Sequence, residues 1–259
     1  MENQVSRRGF LQGTGGLLAL GFGGSGLLAA CGGSDTSGSN NNKGNGSTAV
    51  IKIANGSGAL QLDPRIGSDE GTFTVKKHVF RTITSVDPQT GTITPVLAAA
   101  LPTKIDDNTW QIKLKPNLKF SDGSTLTASD VEFTLNSMVS KSLNSIYTAI
   151  FGGWSAKAKD DTTVIVSLEK PFAAVPARLA LLAIVPKAVV DKVGNKAYGL
   201  HPVGSGPFEF VNWPGASQAA PITLKRAKSY SLGSLPDIGG LTITTILDDS
   251  ARLTSLQSG

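Results

Sequence analysis

The segment Trp110-Gln-Ile-Lys-Leu-Lys-Pro-Asn-Leu-Lys-Phe120-Ser-Asp122-Gly123-Ser-Thr-Leu-Thr-Ala128-Ser-Asp130-Val131 decides how the rest of the chain is read. Residues 109–115 alternate apolar and polar at period two, which predicts a half-buried strand. Asp122-Gly123 supplies turn chemistry. Thr127 to Asp130 then opens an apolar pattern, Val131, Phe133, Leu135 and Met138, with helical spacing. The Thr127 hydroxyl is placed to cap this helix, and Asp130 sits in the first turn, where the helix dipole favours an anion.

Upstream, residues 49–54 are β-branched and bounded by Asn55-Gly56, which predicts a buried strand running into a Gly-rich loop. Asp63-Pro64 marks a turn. Residues 70–81 read as a helix, with Phe73, Lys77 or Val79, and Phe80 near its spacing. Asp87 to Gly91 and Asp106 to Asn108 are further turns. Downstream, residues 162–168, 207–213, 222–226 and 241–247 read as strands. Residues 186–193 read as a short helix with Pro186 in its first turn. A last helix starts at Asp248-Asp249-Ser250 and still runs at Leu256. There is no internal repeat. The irregular alternation of strands and helices predicts a mixed α/β class.

Composition narrows the function. The chain has 259 residues, 40% apolar and 17% charged, enough for a core in one or two domains. A single cysteine excludes an internal disulfide framework, a CxxC pair and a Cys-rich zinc site. The only histidines, His78 and His201, make no His-rich metal site. The glycines are uneven: 13 of 30 fall within residues 1–48. That part reads as an address. Arg7-Arg8 precedes a 22-residue uncharged run, residues 9–30, that ends in Leu28-Ala29-Ala30-Cys31. A basic head, a weakly apolar middle and small residues at the exit are a secretory pattern, and the arginine pair points to the twin-arginine route. Residues 32–48 contain no apolar side chain, so with Cys31 they form a flexible tether, 31–48, reaching about 20–25 Å. After removal of 1–30 the balance is 22 basic against 18 acidic residues, or +4. The charges are scattered, with no basic stripe between aromatics, so nucleic acid is not an expected partner.

Four segments together resemble the family 5 extracellular solute-binding proteins, the peptide- and nickel-type receptors of ABC importers. The first is the Trp110–Val131 segment, matching Phe-x-Asp-Gly followed by Thr-Ala-x-Asp-Val. The others are His201-Pro-Val-Gly204-Ser205-Gly206-Pro207-Phe208, the Asp87 to Ala98 hairpin with Pro95, Leu97 and Ala98, and Leu253-x-x-Leu256-Gln257-Ser258-Gly259. Phe208 stands where the family has Tyr, and Ala227-Lys-Ser-Tyr230-Ser keeps only the Tyr of the family's Asn-x-x-Tyr-Trp. The Leu28 to Cys31 segment resembles a lipobox, implying cleavage before Cys31, acylation of its thiol and a lipid anchor on the outer face of the cytoplasmic membrane. The family resemblance implies a type II periplasmic-binding-protein-like, two-lobed α/β fold. It covers residues 49–259 and implies an incomplete domain: most of lobe I (49–67 and 198–259) with an inserted subdomain (68–197). The partners implied are a small solute, most of all a peptide, and the importer's permease and ATP-hydrolysing subunits. No cofactor motif is present.

Irregular backbone at a strand's carboxyl end is a usual ligand position, which makes Asn55, Gly56, Gly58, Ala59 and Leu60 candidates for solute contact. Tyr147 and Trp154, flanking Phe151, and Trp213 are further candidates, with core packing as the alternative for each. Gly204-Ser205-Gly206 lacks the following Lys-Ser/Thr of a phosphate loop and the Gly-x-Ser-x-Gly of a nucleophile elbow. No Ser/His/Asp trio or carboxylate pair stands out, which disfavours the alternative of a secreted lipoprotein hydrolase. A third reading is a truncated product without binding activity, since half a cleft cannot close on a ligand.

Overall fold

The computed structural model describes residues 47–67, 69–215 and 221–258. Residues 1–30, expected above to be a signal peptide, Cys31 and residues 32–46 of the expected tether lie outside the described residues. Among the described residues no helix is long and apolar enough to cross a membrane.

In chain order the elements are β1 (Val50–Asn55), α1 (Glu70–Val79), β2 (Thr84–Val86), β3 (Ile93–Pro95), β4 (Thr103–Lys104), β5 (Thr109–Lys113), α2 (Ala128–Val139), α3 (Thr148–Phe151), β6 (Trp154–Ala158), β7 (Thr163–Leu168), α4 (Val175–Arg178), α5 (Lys187–Tyr198), β8 (Phe208–Asn212), β9 (Ile222–Arg226), β10 (Gly240–Thr245) and α6 (Asp249–Ser258). One sheet has the order β1-β10-β9-β8, with β1 parallel to β10 and the other pairs antiparallel. A second, wholly antiparallel sheet has the order β4-β5-β7-β6, and β2 pairs with β3 in a hairpin.

The segment quoted first builds the second sheet and its cover. Trp110 and Ile112 of β5 point inward while Lys113 is exposed. Phe120 and Leu126 are buried on either side of the exposed turn Asp122–Thr125. Ala128, Val131, Leu135 and Met138 give α2 a continuous buried stripe against β6 and β7. The Asp130 carboxylate accepts the Thr127 N–H at 2.8 Å, closing the first turn, and the Lys187 N–H at 2.9 Å, tying α2 to the start of α5. Burial nevertheless raises the Asp130 pKa above the ordinary carboxylate range.

Two buried cores result. One fills the space between α2 and the β4-β5-β7-β6 sheet; the other packs α1 and Tyr198 of α5 on the β1-β10-β9-β8 sheet. They adjoin at Phe80–Ile83 and at Ala183–Ile184. A fully buried ion pair helps join the elements between them. Arg65 donates from Nε and Nη2 to the Asp63 carboxylate at 3.0 and 2.6 Å, from Nη2 to Asn195 at 2.8 Å, and from Nη1 to Ser137 at 3.1 Å. Its guanidinium lies 5.3 Å from the Phe133 ring and 5.8 Å from that of Tyr198. Three segments, the loop after β1, α2 and α5, therefore meet on one charge whose counter-ion is two residues away.

Several expectations need correction. β1 is not buried: Val50 and Ile51 are 54% and 47% exposed, because the strand is a sheet edge paired on one side only. The α1 helix forms as expected, but its buried stripe is Gly71, Thr72, Val75 and Val79, and Phe73 is 39% exposed. The helix expected at 186–193 continues to Tyr198 through a kink at Gly194. β6 has no counterpart in the sequence reading, although Trp154 and Ala156 do alternate inward with an exposed Ser155.

Candidate functional site

The loop after β1 is held against the start of α1. Asn55 is buried, and its Nδ2 donates to Thr74 at 3.0 Å. Glu70 accepts the Ser57 N–H at 2.9 Å, and Asp69 caps α1 by accepting the Thr72 N–H at 2.7 Å. The Thr72 hydroxyl bonds back to the Gln61 carbonyl. The helix can sit this close because residue 71 is glycine: a Cβ there would lie 2.5 Å from the Ala59 nitrogen. Of the five candidates on this loop, Asn55, Gly58 and Ala59 are buried, Gly56 is half-buried, and Leu60 presents its side chain, 60% exposed.

From this loop α1 runs along a groove of 660 Å³. The face it turns there carries Phe73, Lys76, Lys77 and Phe80, with Arg81 just beyond its end. The far wall is Ser85 and Val86 of the β2 region, Val96, and Ala177, Ala180 and Leu181. The Lys76 amine is half-buried. It donates to the Tyr147 hydroxyl at 2.9 Å and to the Leu181 carbonyl at 3.0 Å, and it lies 4.5 Å from the Tyr147 ring centroid. Burial lowers its pKa to about 8, since a cation is disfavoured where water is removed. The same burial raises that of Tyr147. Arg81 is held by the Tyr230 hydroxyl, to which its Nε donates at 2.8 Å.

Tyr147 is buried in the core beside α2 and meets the groove only through its contact with Lys76. Trp154 and Trp213 do not meet it. Trp154 is buried edge-on to Phe151 at 5.4 Å, under Arg178, in the core beside α2. Trp213 is buried in the core beneath the β1-β10-β9-β8 sheet. The sequence reading missed Lys76, Arg81 and Leu181. The available signal was the mixed aromatic and basic face formed by Phe73, Lys76, Lys77 and Phe80 at helical spacing.

Gly204-Ser205-Gly206 proves to be a packing device. A Cβ on Gly204 would lie 2.1 Å from the Val79 carbonyl oxygen, and one on Gly206 would lie 2.3 Å from that of His78. The Gly206 N–H donates to the Val79 carbonyl at 2.8 Å, finishing the carboxyl end of α1. The Ser205 hydroxyl is buried without a hydrogen-bond partner among the described residues. The two histidines pack edge-on against aromatics, His78 on Phe208 and His201 on Phe210. Among the described residues no group of His, Cys, Asp and Glu could hold a metal ion.

Residues 92–259 match the family described as bacterial extracellular solute-binding proteins, family 5, middle region. The chain belongs to family 5 of the bacterial extracellular solute-binding proteins. A glutathione-binding protein GsiB of Pectobacterium atrosepticum is 32% identical over 211 residues, 80% of this chain and 40% of that protein. The GsiB of Escherichia coli K12 is 29% identical over 213 residues, again 40% of its length. This chain therefore spans about two fifths of the curated family 5 relatives it matches. Among solved structures, the ABC transporter substrate-binding protein CtaP of Listeria monocytogenes aligns at TM-score 0.71 and 27% identity, covering 82% of this chain and 43% of that one. The oligopeptide-binding protein AppA of Bacillus subtilis, in complex with a nonapeptide, shares the fold at TM-score 0.74 and 23% identity, covering 83% and 43%. The described residues thus carry part of the type II binding-protein architecture that family 5 members share.

Proposed function

We propose that this protein is the solute-capturing receptor of an ABC importer, tethered outside the membrane through an acylated Cys31, with a small peptide as its solute. The match of residues 92–259 to family 5 carries this reading. The glutathione-binding relatives and the nonapeptide complex of AppA support the peptide class. In this reading the loop from Asn55 to Leu60, with Lys76 and Tyr147, forms one wall of a cleft. A second lobe closes over that wall and removes the solute from water. Trp154 and Trp213 support the walls from inside the cores. The receptor hands its solute on unchanged, so no nucleophile or metal is needed.

Two measurements test this. Thermal shift of the full-length protein against a library of di- to nonapeptides should give melting temperatures that rise with peptide concentration. A flat response across the library would reject the peptide assignment. For the anchor, labelled palmitate fed to producing cells should enter the wild-type protein and not a Cys31→Ser variant; equal labelling of both would reject Cys31 as the attachment point.

A further inference from the structure

The solute's charge can be read from the α1 groove, on the premise that the receptor reading above holds. We infer that the groove reads a free carboxylate: Lys76 pairs with an anionic group of the solute, within a positive field supplied by Lys77 and Arg81. Three basic side chains line the groove and no acidic one does. None of the three takes part in an ion pair among the described residues, where every other pairing seen joins a cation to a carboxylate elsewhere on the molecule. The Lys76 ammonium has three protons. Two are spent on neutral acceptors, the Tyr147 hydroxyl and the Leu181 carbonyl, which leaves one for the groove.

A half-buried cation with only neutral partners is costly to the fold unless something repays it. A carboxylate arriving in the groove does so, and the charge-assisted bond it forms is strengthened by the same removal of water. The apolar surface around the amine, chiefly Phe73, Phe80, Val86 and Leu181, suits the hydrocarbon part of such a solute. The solute class is therefore an amphipathic small molecule with at least one free carboxylate, a description that a peptide C-terminus fits.

Binding by this route takes up protons. With the free amine near 8, an acidic solute binds the protonated form, so its affinity should fall about tenfold between pH 7 and pH 9. The other titratable groups facing Lys76 do not imitate this. Tyr147, behind it, is pushed above its ordinary range and stays protonated. His78, on the same helix, is pushed below its ordinary range and stays neutral. Lys77 and Arg81 face the groove from α1 and its end, and the Leu181 turn and the β2 wall bring no ionisable side chain.

The test is calorimetric titration of the full-length protein with Ala-Leu-Ala, its C-terminal amide and glutathione, at pH 7 and pH 9. The free acids should bind, amidation should cost at least about tenfold at pH 7, and from pH 7 to pH 9 Ala-Leu-Ala should weaken about tenfold more than its amide, which carries the same titrating α-amino group. Lys76→Met should remove the difference between acid and amide, while Lys76→Arg, which keeps the charge, should retain most of it. Equal affinity of acid and amide in the wild type would overturn the carboxylate assignment and leave the receptor reading intact. Binding of none of the three would remove the peptide-receptor reading and this inference with it. If Lys76→Met fails to fold, the acid-to-amide ratio and its pH dependence in the wild type and Lys76→Arg still decide.

Discussion

Arg65 and Lys76 are both cations withdrawn from water, and the molecule treats them in opposite ways. Arg65, at the seam where the loop after β1 meets α2 and α5, is fully buried and carries its own counter-ion, Asp63, with Ser137 and Asn195 completing its hydrogen bonds. Lys76, on the groove face of α1, is given a hydroxyl, a carbonyl and two aromatic rings, but no carboxylate. A charge that serves the fold is neutralised internally at every moment. On the inference drawn above, the charge kept short of neutralisation is left for a solute that comes and goes.

The largest effect should come from breaking the first arrangement. Asp63→Asn leaves the Arg65 charge buried without its partner and should cost about 3–5 kcal/mol in urea unfolding. Replacing both residues by apolar ones, Asp63→Leu with Arg65→Met, should recover much of that loss; a single substitution costing no more than a surface change would show that the pair is not the joint described here. Next in size is Gly206→Ala. Its Cβ would meet the His78 carbonyl, so about 1–3 kcal/mol should be lost as the end of α1 is pushed away, moving the helix on which Lys76 rides.

Lys76 itself should respond with the opposite sign. Its pKa is lowered from 10.5 to about 8 on folding. Between those values the unfolded chain binds the extra proton, so stability should rise with pH from about 8 to about 10.5 on account of this group. Lys76→Met should flatten that slope and leave stability at pH 7 unchanged or slightly raised, as read from denaturation midpoints across the range. A loss of stability at pH 7 comparable to that of Asp63→Asn would erase the contrast. The smallest effect belongs to the exposed pair Lys104–Asp107, where Lys104→Ala should change stability by no more than about 0.5 kcal/mol, since both charges are already solvated.

These two cations also mark the limit of what the sequence discloses. The strand, turn and helix from Trp110 to Val131 are legible because each rests on neighbours in the chain: a period of two, Asp-Gly, and a carboxylate three residues into a helix. Asp63-Pro64 reads as a turn, but nothing local says that Arg65 curls back onto Asp63 and reaches Ser137 and Asn195, which are 72 and 130 residues away. Lys76 meets Tyr147 and Leu181 at separations of 71 and 105 residues. The α1 helix is likewise visible in the sequence, while its orientation is not: Phe73 and Lys77 share a helical face with Phe80, and the packing of Gly71, Val75 and Val79 on the other side turns that face to the groove. The loop after β1 is legible as a loop, and the burial of Asn55, Gly58 and Ala59 within it is not.

The parallel pairing of β1 with β10 sets an order of events in folding. Val50 and its partner Gly240 are 190 positions apart along the chain, whereas β8, β9 and β10 are antiparallel neighbours in sequence as well as in space. Closing a loop costs more entropy the longer it is, so the three local strands assemble first and β1 docks late onto a template already formed. The strand that feeds the candidate loop is therefore laid down last, and refolding experiments should find the Asn55–Leu60 wall acquiring protection from hydrogen exchange after the β8-β9-β10 core.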